Sequence, residues 1–276
     1  MVQITAAEVN KLRQQTGAGM MDCKKALVEA EGDFEKAIDI LRKKGQKVAS
    51  SRAGREANEG VVIGKVSQDA KKAYAIVLNC ETDFVAKNQE VVDFAWSILN
   101  LAADKGCRTS DELKAADMNG RTVEENITDM IGKTGEKLEL SAFALVEGEK
   151  AFAYIHPGNR ITSIAALNKD VEGVDQSGKD IVMQIAAMAP VAIDRDDVDP
   201  AVVEKEIEIG KEQARQEGKA EELLEKIAMG KLNKFYKEST LLNQDSIVDN
   251  KKTVGQLLKQ VDKDLTVVAF SRLALA

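Results

Sequence analysis

At 276 residues, 44% of them hydrophobic, the chain is long enough for two or three compact units with real cores. Its net charge of −7 and its 4% aromatic content speak against a nucleic-acid platform, which needs a basic face and rings on which bases stack. One His, and three Cys without a CxxC pair, leave no recognisable metal-ligand spacing. No apolar run approaches the roughly 18 residues of a membrane span. Gln3, Thr5, Glu8 and Asn10 interrupt any signal-peptide core, so a reduced, soluble, cytoplasmic protein is expected.

Residues 4–45 read as three short helices. Thr5 and Glu8 have the spacing of a capping box, Val9 and Leu12 face inward, and Gly17-Ala18-Gly19 ends the first helix. The second runs over about 20–31 with Ala26 and Leu27 inside, and at least one of Met20 and Met21 is expected in the same core. Asp33 caps the third, where Phe34, Ala37, Ile38 and Leu41 keep helical spacing up to Gly45. The pattern resembles the ubiquitin-associated fold, and a unit of this size has a marginal core. Residues 1–55 hold 11 Lys/Arg against 7 Asp/Glu. That balance suits docking on an acidic partner and equally suits a solvated face. Residues 46–59 are polar and read as a linker.

From Gly60 the texture becomes strand–strand–helix, over 61–66, 73–80 and 88–103. The strand at 73–80 is almost wholly apolar and belongs in a sheet core. It runs into Glu81-Thr82-Asp83-Phe84-Val85, which has two readings. In one, Phe84 tucks under the next helix and Asp83 caps it; in the other, the turn is an exposed acidic-aromatic probe. Helices follow at 111–114 and 122–134. A similar order recurs with strands at 138–146, 151–155 and 161–167 and a helix over 178–189, which suggests a divergent duplication.

Asp199-Pro200 opens a third texture. Val203, Ile207, Gly210 and Ala214 form one thin seam, Gly218 interrupts it, and Leu224, Ala228, Leu232 and Phe235 form another. They predict a helical hairpin of coiled-coil type, a contact or self-association arm. A helix over 252–260 and a strand over 265–275, returning to the second sheet, close the chain. The predicted class is α+β. Its parts are a three-helix module at 1–45, a linker at 46–59, one core subdomain at 60–136, a second at 137–198 with 239–276, and the hairpin at 199–238.

Catalytic signatures are weak. Gly132-Lys133-Thr134 mimics the end of a phosphate-binding loop, but position 127 is Ile where the motif needs Gly, and the segment reads as helix. His156 lies in a turn between two strands with no orienting carboxylate legible beside it. The reading is of a non-enzyme that acts through its surfaces, with no catalytic residue, cofactor or metal.

Three blocks in order carry a family resemblance. They are the stretch from Val9 to Leu27 around Thr16-Gly17-Ala18-Gly19-Met20-Met21-Asp22-Cys23-Lys24-Lys25, the Thr82-Asp83-Phe84-Val85 segment, and Lys252-Thr253-Val254-Gly255-Gln256-Leu257-Leu258. Together they resemble the elongation factor Ts family over nearly the whole chain. The resemblance implies a guanine-nucleotide exchange factor whose partner is elongation factor Tu, with no nucleic acid or membrane involved. It implies that Thr82, Asp83, Phe84 and Val85 wedge into the partner's GTPase domain and disturb its magnesium and phosphate site. Arg13, Met20, Met21 and Lys24 match the family's N-terminal docking patch. His156 matches a contact near the phosphate-loop side, and Ile247 and Val248 one to a distal partner domain. Some members continue past the last strand into a helix that packs on the partner. This sequence stops at Ala276, so that contact is not expected.

Overall fold

The computed structural model describes residues 4–276. In chain order they form α1 (Ala6–Thr16), α2 (Met20–Glu29), α3 (Phe34–Arg52), β1 (Glu59–Val66) and β2 (Lys72–Cys80). A single turn, α4 (Asp83–Ala86), precedes α5 (Gln89–Lys105) and α6 (Ser110–Ala115). Two short strands, β3 (Asp117–Met118) and β4 (Arg121–Thr122), lead into α7 (Val123–Thr134). Then come β5 (Leu138–Glu147), β6 (Lys150–Ile155), β7 (Ile161–Leu167) and α8 (Val174–Met188). The chain closes with α9 (Pro200–Gln216), α10 (Glu221–Ser239), α11 (Val254–Val261) and β8 (Val267–Ala274). The fold is α+β, as predicted, with three-stranded sheets in the orders β1-β2-β5 and β6-β7-β8.

Two compact units divide the chain. One takes the residues up to Ile63 with Ile76–Phe143 and Ala274–Ala276, and the other takes Gly64–Ala75 and Ala144–Leu273. The division falls inside β1, β2, β5 and β8 rather than between elements.

The first unit begins with the predicted capping box. The Glu8 amide donates to Thr5 Oγ1 at 3.3 Å, and the Thr5 amide donates to Glu8 Oε2 at 2.7 Å. Gly17 then ends α1 in the left-handed region, φ 65°, where a β-carbon would be penalised. Val9, Leu12, Cys23, Ala26, Leu27, Ala30 and Ala37 form a small core, with Phe34, Ile38 and Leu41 packed partly against it. The sequence predicts that the third helix stops at Gly45 and a linker follows. Instead α3 runs on to Arg52, taking in half of that segment. Gly45 is a crossing point, not a terminator. A β-carbon on Gly132 of α7 would lie 3.0 Å from the Gly45 Cα, and one on Gly45 would lie 3.4 Å from the Thr128 carbonyl oxygen. The contact is tight on the Gly132 side, where an added β-carbon would press on the α3 backbone, while one on Gly45 would meet only ordinary contact distances.

Beyond this crossing, β2 is the central strand of its sheet and is buried from Ala73 to Leu78, as its apolar run requires. In α5, Val91, Ala95, Ile98, Leu99 and Ala102 form one buried stripe, and in α7 Val123, Ile127, Met130 and Ile131 form another. β5 is assigned by the sequence to the second strand set, yet it lies beside β2. Its alternation of buried Leu138 and Leu140 with exposed Glu139 and Ser141 reads the same against either partner. The β3–β4 hairpin turns on Asn119 (φ 60°) and Gly120 (φ 81°), a two-residue loop with both positions left-handed.

In the second unit β6 and β7 pair antiparallel, with Phe152 opposite Ala165. α8 begins at Val174, a turn before the predicted start at Gly178. Gly178 is mid-helix, and the Phe152 ring fills the space its β-carbon would take. Ile181, Val182 and Ile185 join Leu241, Val254, Leu258, Leu265 and Val267 in the core. The closing strand β8 lies beside β7, as predicted. α9 opens on Asp199, whose carboxylate accepts the Ala201 amide, with Pro200 at the first helical position. It folds back through Gly218 (φ 72°) onto α10. The seam is thin: Gly210, Ala214, Leu224, Ala228 and Leu232 are buried, and a β-carbon on Gly210 would sit 3.1 Å from the Ala228 Cα. Lys211–Glu225 at 3.0 Å and Lys231–Glu217 at 3.3 Å tie the helices across their exposed edges.

The α3–α7 crossing predicts opposite outcomes for two helical glycines. Gly132→Leu should lower the unfolding free energy by about 1–3 kcal/mol, the usual cost of forcing atoms into a packed contact. Gly230→Ala in α10, where nothing lies within 4 Å of the added carbon, should raise it by up to about 1 kcal/mol through helix propensity. Urea titration of both variants checks this, and an unchanged Gly132→Leu midpoint would refute the crossing as a tight contact.

Candidate partner-binding surface

The end of β2 is a locked corner. After Cys80 the backbone turns, and Thr82 (φ −124°, ψ 155°) caps the single turn α4, its hydroxyl accepting the Val85 amide at 3.4 Å. Two carboxylates fix the approach. Glu81 accepts from Arg52 at the end of α3 (2.9 Å) and from the Lys137 amide (2.7 Å). Glu136 accepts the Thr82 amide (3.0 Å) and the Thr82 hydroxyl (2.7 Å). The Cys80 thiol donates to the Thr82 carbonyl at 3.1 Å. Burial, with the Glu136 and Glu59 charges nearby, pushes that thiol up to about 12.

On this corner Phe84 is 83% exposed. Of the two readings, the ring under the helix is therefore excluded. Asp83 is no cap either, because Thr82 caps α4 and the Asn88 side chain caps α5 by accepting the Glu90 amide at 3.0 Å. Asp83 instead pairs with Lys87 at 2.6 Å, and that hydrogen bond holds its carboxyl below the ordinary range. Val85 is half-buried and anchors the turn.

In α2 the inward positions are Cys23, Ala26 and Leu27. Met21 and Lys24 point away from that core, and Met20, in the sector of Cys23 and Leu27, stands at the helix start ahead of it; the methionines are 58% and 64% exposed. The expectation that one of them is core is corrected by this exposure. Val28, seven residues on from Met21, lies exposed on the Met21 face; helical spacing alone could have found it. Arg13 is exposed in the last turn of α1. The intervening loop is braced: the Ala18 amide donates to Thr16 Oγ1 (3.3 Å) and the Cys23 thiol to the Ala18 carbonyl (3.5 Å). The Lys133 side chain packs against Gly17 and pairs with Glu90, in the first turn of α5, at 2.9 Å. Gly132-Lys133-Thr134 is thus the last turn of a helix and shapes no phosphate loop.

The remaining three predicted residues lie in the second unit. His156 is exposed at the β6–β7 turn, with the Tyr154 hydroxyl 3.0 Å from Nδ1. The partner of the ring is a phenol, not the carboxylate of a general-base pair. Ile247 and Val248 are exposed on a loop held by two buried glutamines. Gln184 of α8 accepts the Ile247 amide (2.8 Å) and donates to Gln244 Oε1 (3.0 Å) and the Asp245 carbonyl (3.2 Å). Gln244 in turn donates to the Glu238 carbonyl (2.9 Å). Sequence reading missed this pair, although an amide inside the apolar run of α8 was its signal. Among the described residues no group of three or more His, Cys, Asp or Glu is placed to hold a metal, and no helix is long and apolar enough to cross a membrane.

Met20, Met21 and Phe84 in the first unit, and Ile247 and Val248 in the second, are each presented to solvent. Residues 81–276 match the family model described as elongation factor TS. The chain is 53% identical to elongation factor Ts of Cytophaga hutchinsonii and 50% identical to that of Christiangramia forsetii, each over the whole of both chains. It is also 50% identical to elongation factor Ts of Amoebophilus asiaticus over 98% of each. Matched at half its residues along its full length, and over its last 196 positions by the family model, the chain belongs to the elongation factor Ts family.

Proposed function

We propose that the chain is a guanine-nucleotide exchange factor that binds elongation factor Tu and promotes GDP release, acting by surface contact and not as an enzyme. The observation that carries this reading is Phe84, a large apolar ring held in water on a corner with four fixed hydrogen bonds.

The thermodynamics set what such a surface must do. A GTPase that holds GDP at nanomolar affinity has roughly 12 kcal/mol of binding free energy. A factor that prefers the nucleotide-free form weakens GDP binding by the same ratio as GDP weakens its own. A few kcal/mol of that antagonism speeds release by orders of magnitude. Burying Phe84 in the partner's GTPase domain would supply about 2–3 kcal/mol by area. Thr82, Asp83 and Val85 set its position, and the insertion displaces groups that hold magnesium and phosphate. Met20, Met21, Arg13 and Lys24 serve as the docking patch, where unbranched methionines adapt to a partner surface. His156 and the Ile247–Val248 loop add contacts that steady the complex. Self-association through the α9–α10 hairpin is not required.

Stopped-flow release of fluorescent GDP from purified elongation factor Tu tests the reading. The wild-type chain should accelerate release strongly. Phe84→Ala should cut the maximal rate by about one to two orders of magnitude, the factor that follows from the burial term. A folded wild type that binds without accelerating release would be a binding adaptor, and the proposal would fail.

Wedge and docking patch should separate kinetically. Met20→Ser with Met21→Ser should raise the concentration for half-maximal acceleration about tenfold while the maximal rate stays within about twofold, since uniform binding is lost. A fall in maximal rate at unchanged half-maximal concentration would assign the methionines to the release step instead.

A further inference from the structure

We infer that Glu136 is a positioning residue for nucleotide release: it aims Phe84 through Thr82. The inference rests on the exchange-factor reading and names a group that acts through another residue.

Phe84 is exposed, so its direction comes from the backbone of α4. That helix is one turn long, too short to be stable alone. Its start is set by Thr82, and Thr82 is set by Glu136. One carboxylate oxygen takes the Thr82 amide and the other takes the Thr82 hydroxyl, at 3.0 and 2.7 Å. Because the hydroxyl proton is committed to Glu136, the Thr82 oxygen keeps a lone pair for the Val85 amide. The relay therefore runs from Glu136 through Thr82 Oγ1 to the amide one residue past Phe84.

Glu136 is itself well founded. It is the second residue past the end of α7, after Gly135 in the left-handed region (φ 72°), and its amide donates to Thr134 Oγ1 at 3.3 Å. A reciprocal bond reinforces the pair, since Glu81 accepts the Lys137 amide while Glu136 accepts the Thr82 amide. Each carboxylate thus holds the residue that follows the other. Where the β2–β5 ladder stops, two side chains continue the cross-strand bonding and deliver the chain to α4 in one direction.

The test combines GDP release with amide hydrogen exchange on the full chain. Glu136→Ala should lower the maximal release rate about tenfold, equivalent to losing about 1.4 kcal/mol, with little change in the half-maximal concentration. The exchange of the Val85 and Ala86 amides, which donate to Thr82, should rise about tenfold or more while the Ile76 and Leu78 amides stay protected. In a Phe84→Ala background, adding Glu136→Ala should change release no further, because the residue acts only through the ring. Glu136→Gln keeps the shape, guards against a folding defect, and should fall between wild type and Glu136→Ala. Equal losses in both backgrounds, or unchanged exchange at Val85 and Ala86, would overturn the inference. If the wild type does not accelerate release, the exchange-factor reading falls, while amide exchange still decides whether Glu136 holds the turn.

Discussion

Everything in the first unit hangs on the place where α3 meets α7 with no side chain between them. The core of the three helices is small, built on Leu12 and Leu27 with alanines and a cysteine around them. A core of that size is marginal alone. The Gly45–Gly132 crossing brings the α3 backbone against α7 and adds packing that the three helices lack. It also fixes where α3 ends, and at that end Arg52 reaches Glu81. One backbone contact thus carries position from the N-terminal helices to the corner that presents Phe84.

Two kinds of exposed apolar surface result, and they differ physically. Met21 and Val28 on one face of α2, with Met20 at its start, are exposed flexible or small groups, able to adapt to a partner at little strain. Phe84 is the opposite: a rigid ring on a turn whose donors and acceptors are already matched. Ordering costs are met on folding and do not recur on binding. An adaptable patch and a pre-set ring are the two kinds of contact that the proposed exchange role asks for.

Much of this was legible in the residues, for reasons that are local. The Thr5–Glu8 box, Asp33 and Asp199–Pro200 announce helix starts, and Gly218 announces the hairpin turn, because each acts within a few residues of itself. The apolar run of β2 marks its central place. What stayed hidden is non-local. Gly45 and Gly178 look like helix punctuation but are contact points whose partners, Gly132 and Phe152, lie far along the chain. The pairing of β5 with β2 depends on a choice between strands of equal pattern. The exposure of Phe84 could not be separated from burial by composition; only the motif it sits in favoured exposure. The Asn119–Gly120 turn carried a strong local signal that was not read.

Cys80 gives the corner a chemistry of its own. A thiol with no exposed surface, raised to about 12 and bonded to the Thr82 carbonyl, holds little thiolate at neutral pH and is shielded from reagents while the corner is shut. Alkylation there must wait for the strand end to open, so its rate counts openings as an internal clock. A partner that clamps the ring without disturbing the corner would slow that clock, and one that pulls the turn away from β2 would hasten it. The rate of Cys80 alkylation, with and without a partner, would therefore report how much strain passes back from the ring into the sheet.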